Sequence, residues 1–108
     1  MIAHLDEKQT ENMTELMEAI LSLWDMEECR AFLRDLCTIQ ELIALSQRLQ
    51  VAKRLLAGET YESIRQQLPV SSSTITRVNT ALQFGTGGYR TILHRLNGQE
   101  PPDQSSLT

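Results

Sequence analysis

Apolar residues recur along the chain at steps of three and four, the period of an amphipathic helix, and no stretch alternates as a half-buried strand would. Met13, Leu16, Met17, Ile20, Leu21 and Trp24 form the first stripe, which predicts a long opening helix with that stripe as core. Asp25 followed by Glu28 has capping-box spacing, so a second helix starts there, with Cys29, Phe32, Leu33 and Leu36 on its inward face. Thr38 and Glu41 repeat the signal ahead of a third helix carrying Leu42, Leu45, Leu49, Ala52, Leu55 and Leu56. Gly58 stands where a glycine just past the last turn stops a helix. Two short helices, about 60–68 and 71–82, flank Leu68-Pro69-Val70. Gly85, Gly87 and Gly88 break the chain before a last helix at about 89–97, closed by Gly98. The prediction is an all-α fold of about six helices. Residues 1–11 read as a flexible N-terminus, 12–97 as one helical domain, and 98–108 as a disordered tail almost free of apolar side chains.

The pair of short helices holds the most informative pattern. A helix-turn-helix crosses two helices over a tight turn, with apolar side chains at fixed positions setting their angle. Ile64, Leu68, Val70, Ile75 and Val78 fall at those positions, and Ser71 is placed to cap the second helix. With Ile75, Val78 and Leu82 turned inward, Ser72, Ser73, Thr76, Arg77 and Thr80 share the outward face. Hydroxyls serve phosphates or base edges, and an arginine can bond guanine O6 and N7 as a fork. Arg65, on the preceding helix, would lie beside the backbone of the same duplex. Two features depart from the general pattern: Pro69 stands at the turn position usually held by glycine, and Arg65 where a small residue is usual.

Charge at first opposes DNA as a partner, because the 108 residues carry 10 Lys plus Arg against 14 Asp plus Glu, a net −4. The average conceals a gradient. Residues 1–29 sum to −7, 30–59 to +2, 60–98 to +3 and 99–108 to −2, and no acid lies between positions 63 and 82. A basic remainder behind an acidic N-terminal third is compatible with approach to phosphates.

Other classes are disfavoured. No apolar run approaches the roughly 18 residues of a membrane span, and the N-terminus lacks the basic start and apolar core of a secretory signal. Cys29 and Cys37 are too few for a disulfide framework and lack zinc-site spacing, so a reduced, cytoplasmic protein without metal or cofactor is expected. His94 has no Cys, Asp or Glu three or four residues away, and no nucleophile–base pair is suggested, so the chain is not read as an enzyme. Six short helices make a modest core, and association with a second copy is expected on that ground, with the first helix as the natural contribution.

Thr38-Ile39-Gln40-Glu41, the run from Leu49 to Glu59 and above all Thr74-Ile75-Thr76-Arg77 resemble the Trp repressor family. Arg77-Val78-Asn79 followed by Phe84-Gly85-Thr86-Gly87-Gly88-Tyr89 is similar to its Trp-repressor-related YerC/YecD branch. The resemblance covers about residues 12–97. It implies an intertwined homodimer and a double-stranded DNA-binding transcription regulator, a repressor, whose two recognition helices address successive major grooves about 34 Å apart. It also implies a possible effector pocket, because Arg48 and Arg77 match the two arginines that hold tryptophan in the family's tryptophan-binding members. The next position is glycine in those members and Val78 here, and a serine near the ligand is replaced by Ala81. A branched side chain would fill space the indole needs, so tryptophan is not expected to bind. The competing expectation is a dimeric protein-interaction module whose helix-turn-helix no longer binds DNA, which the low positive charge favours.

Overall fold

The computed structural model describes residues 4–98, which form helices α1 (Glu7–Leu21), α2 (Met26–Leu36), α3 (Ile39–Leu56), α4 (Tyr61–Gln67), α5 (Ser72–Phe84) and α6 (Gly88–Leu96). The architecture is all-α. The described residues divide into two compact units, one up to Leu42 and the other from Ile43, so the boundary falls within α3. The segment from 99 onward, read above as disordered tail, lies outside the described residues.

In the first unit, α1 begins at Glu7, inside the stretch assigned above to a flexible N-terminus. Asp6 is the reason: its carboxylate accepts from the Gln9 N–H at 2.7 Å, and the Gln9 side chain accepts from the Asp6 N–H at 3.0 Å. This reciprocal box satisfies two of the donors that a helix start leaves open. Asp25 caps α2 by accepting from the Glu28 N–H at 2.9 Å, while Glu28 reaches past it to the Trp24 N–H. Thr38 and Glu41 pair reciprocally at the head of α3. The expectation that the α1 stripe forms core is not met within the chain, since neither α1 nor α2 contains a buried residue. Met17 is 51% exposed and Trp24 88%, because this unit has no further layer to lay over its apolar faces.

The second unit holds the core. Val51 and Ala52 of α3, Ile64 of α4, Ile75, Val78 and Leu82 of α5 and Leu93 of α6 are buried together. Leu49, Leu55, Leu56, Leu68, Val70 and Tyr89 pack around them. α4 has 7 residues, far below the roughly 12–15 that sustain an isolated helix, so its existence depends on Ile64 being gripped by this cluster.

Candidate nucleic-acid interface

α4 and α5 form the helix-turn-helix unit, and the apolar positions expected to pin it behave accordingly. Ile64, Ile75 and Val78 are buried, and Leu68 and Val70 lie half-buried against them. The turn accounts for the proline. The Val70 N–H donates to the Leu68 carbonyl at 2.8 Å, a three-residue turn centred on Pro69. Such a turn wants the φ near −75° that a pyrrolidine ring already supplies, and needs no left-handed residue. Accordingly, the positive-φ residues among those described are Gly58, Gly87 and Gly98, and the turn has none.

Ser71 caps α5, its hydroxyl accepting from the Thr74 N–H at 3.2 Å. The same oxygen lies 3.0 Å from the Ser73 hydroxyl and 3.0 Å from that of Thr74, so the four hydroxylic residues at the head of the helix are not equivalent. Ser73 and Thr74 are drawn into the cap, while the Ser72 hydroxyl takes no part in it. Further along, Thr80 donates its hydroxyl proton to the Thr76 carbonyl at 2.9 Å. Thr76 and Arg77 are exposed on the same face, and α5 has no acid in its first turn. Arg65 is exposed on α4, which removes the steric objection to a long side chain there. It lines a surface groove with Glu62, Gln66, Leu68, Pro69 and Val70 along the turn. Among the described residues the ion pairs are Lys8–Glu11 and Arg54–Glu59, so the guanidinium groups of Arg65 and Arg77 stand uncommitted.

Of the residues assigned to DNA contact, then, Arg65, Ser72, Thr76 and Arg77 present free polar groups, and Ser73 and Thr80 present partly committed ones. For the effector positions, Arg48 is half-buried on α3 and Arg77 exposed on α5, while Val78 is only 1% exposed and lies in one cluster with Val51 and Ala52. The Val78 side chain is therefore part of the core. Ala81 is exposed and brings no polar atom. Among the described residues, no group of three or more His, Cys, Asp or Glu could hold a metal ion.

A family model for the Trp repressor protein matches residues 11–97 of this chain. The chain belongs to the Trp repressor family. It is 40% identical over 101 residues to the uncharacterized protein YerC of Bacillus subtilis (strain 168), covering 94% of this chain and 97% of that protein. Its fold is similar to a crystal structure from Staphylococcus aureus named as a candidate Trp repressor, with a TM-score of 0.77 and 48% identity over 81% of this chain and 87% of that one. A TrpR-like protein from Eubacterium eligens ATCC 27750 also superposes with a TM-score of 0.77, at 42% identity over 83% of this chain and 93% of its own. The family is one of transcription regulators.

Sequence reasoning missed one group of residues in this region. Arg54, Glu59, Ser63 and Gln67 hydrogen-bond to one another where α3 gives way to α4. Thirteen positions separate Arg54 from Gln67, and neither helical period nor charge pattern connects them. The available cue was Glu59 directly after the helix-stopping Gly58, five residues beyond Arg54.

Proposed function

We propose that the protein is a sequence-specific, double-stranded DNA-binding transcription regulator that acts as a homodimer and represses by occluding its site. Residues 12–97 serve as one repressor-like domain, and the protein works in the cytoplasm. The observation that carries this reading is the face of α5, capped at Ser71, free of acids, with the uncommitted Arg77 between Thr76 and the methyl-bearing Thr80. A helix of 13 residues extends about 20 Å, and the major groove, about 12 Å wide, admits it. Arg65 would contact phosphate, Ser72, Ser73 and Thr76 phosphate or base edges, and Arg77 a guanine. Dimerisation is supported by the apolar side chains that one chain leaves in water, among them Leu21 at 84% and Leu96 at 66% exposure. Val78 argues for binding that tryptophan does not gate.

The net charge of −4 favours a second reading, a dimeric interaction module without DNA affinity. Selection of genomic DNA fragments by purified protein, repeated with Arg77→Ala, separates the two. Enrichment of a common sequence by the wild type, lost or altered in the variant, supports the regulator. No enrichment by the wild type supports the module.

A further inference from the structure

α3 ends in a complete two-bond stop. The Gly58 N–H donates to the Leu55 carbonyl at 3.0 Å and the Glu59 N–H to the Arg54 carbonyl at 3.1 Å, with Gly58 at φ 89°. In such a motif the side chains at the positions of Arg54 and Glu59 meet, usually through apolar contact. Here they meet as an ion pair at 3.7 Å. The next residue, Thr60, already caps α4 by accepting from the Ser63 N–H at 3.1 Å. The link from α3 to α4 therefore has no unconstrained residue.

The ion pair extends onto α4. Glu59 Oε1 accepts from Gln67 Nε2 at 2.9 Å and from the Ser63 hydroxyl at 3.3 Å, while Gln67 Oε1 accepts from Arg54 Nη1. Arg54, Gln67 and Glu59 thus close a ring that ties the last turn of α4 to the last turn of α3. The apolar side of α4 is gripped separately through Ile64, which is fully buried. A seven-residue helix held along one line can roll about that line, whereas one held on two sides cannot. The Nε–H of Arg54 is buried without an acceptor, so the guanidinium is aimed at Gln67 and Glu59 at the expense of one of its own hydrogen bonds.

From these contacts we infer that Arg54, Glu59, Ser63 and Gln67 are positioning residues that set the roll of α4, and through the Pro69 turn the angle at which α5 is presented to DNA. The inference rests on the DNA-binding reading. None of the four touches the duplex in it. The bonds from Gln67 to Arg54 and Glu59 are exposed, so they add little to stability, and their effect falls on geometry.

The test is Gln67→Leu, which removes both bridging bonds at an exposed position, with Arg54→Met as a second variant and Arg54→Lys as the conservative one. Binding to the selected DNA and to random duplex is measured with thermal unfolding and amide exchange. We expect cognate affinity to fall about tenfold, the size of losing one base contact, with random-duplex affinity and Tm nearly unchanged. Amide exchange should quicken in 61–67 but not at Ile75–Val78, and Arg54→Lys should recover part of the loss. Equal losses on cognate and random DNA, or a loss that tracks Tm, would overturn the positioning role, as would unchanged specificity. If the wild type selects no DNA, the regulator reading fails by itself. Amide exchange then decides the ring: unchanged exchange in 61–67 overturns it, and quickened exchange there supports its hold on α4.

Discussion

The Thr80 hydroxyl donates to the Thr76 carbonyl at 2.9 Å, which takes a proton out of the α5 surface and leaves a methyl group and an acceptor lone pair there. Thr76, one turn earlier, keeps its hydroxyl exposed. The two threonines therefore differ in what they can offer a base. A committed donor cannot serve a phosphate, and the methyl suits the C5-methyl of thymine. On the selected DNA, one thymine replaced by deoxyuridine should weaken the wild type about fourfold, the worth of one buried methyl at about 0.8 kcal/mol. Thr80→Ser should already have lost that increment and be indifferent to the replacement. Equal sensitivity of both proteins, measured by fluorescence anisotropy, would show that Thr80 reads no methyl.

Val78 separates structural from regulatory use of the same space. Its side chain is 1% exposed among Val51, Ala52, Ile64 and Ile75, so Val78→Ala should cost about 2 kcal/mol, two methyl groups plus part of the cavity they leave. Urea unfolding measures this. Calorimetric titration of the wild type with tryptophan should give no saturable heat, and a micromolar site would refute the packed-pocket argument.

How much of this was legible beforehand differs by element. The helices announced themselves through apolar period and caps, and the Ser71 cap, the Thr38–Glu41 box and the buried trio Ile64, Ile75 and Val78 all follow from spacing. The start of α1 at Glu7 precedes the apolar stripe, which begins at Met13, so only the capping-box spacing of Asp6 and Gln9 marks it. The ring of Arg54, Glu59 and Gln67 was illegible, since it depends on two helices folding back together. The pairing of Thr80 with Thr76 was equally hidden, because a threonine rotamer has no mark in the sequence. The α1 stripe has the pattern of a core face, and a single chain leaves it uncovered.

Gly85 matters for packing rather than for backbone freedom. A Cβ there would collide with the Ala81 carbonyl oxygen, which already accepts from the Gly85 N–H at 2.9 Å. Backbone must move to admit it, so Gly85→Ala should destabilise by about 1–3 kcal/mol, the range for forced overpacking. Gly87, at φ 85° with open space around it, would give about 1–2 kcal/mol from the left-handed conformation alone. Urea midpoints of the two variants, and of the double variant, check both figures.

Arg65 and Arg77 should be distinguishable by salt. If Arg65 neutralises a phosphate, Arg65→Ala weakens binding to cognate and random duplex alike and lowers the slope of log affinity against log salt by about 1. If Arg77 forks onto guanine, Arg77→Ala costs about 1–3 kcal/mol on the cognate site and relaxes preference at one position. Identical behaviour of the two variants across a salt series would remove the distinction drawn from their places on α4 and α5.

The single tryptophan is a built-in probe of the proposed dimer. Trp24 is 88% exposed in one chain, beside Leu21 at 84% and Met26 at 65%, and apolar surface of that extent is costly to leave in water. Burial by a second copy would blue-shift its emission and shield it from iodide or acrylamide. At micromolar protein the spectrum should therefore be that of a buried indole, shifting to the red on dilution as subunits part. Over the same range Tm should rise with concentration, because folding and association are then linked by mass action. Trp24→Glu places a charge in the covered surface and should yield a monomer with a lower, concentration-independent Tm. A red, readily quenched emission at all concentrations, with constant Tm, would mean that the exposed face of α1 and α2 has no second copy over it, and the regulator would have to read DNA as a monomer.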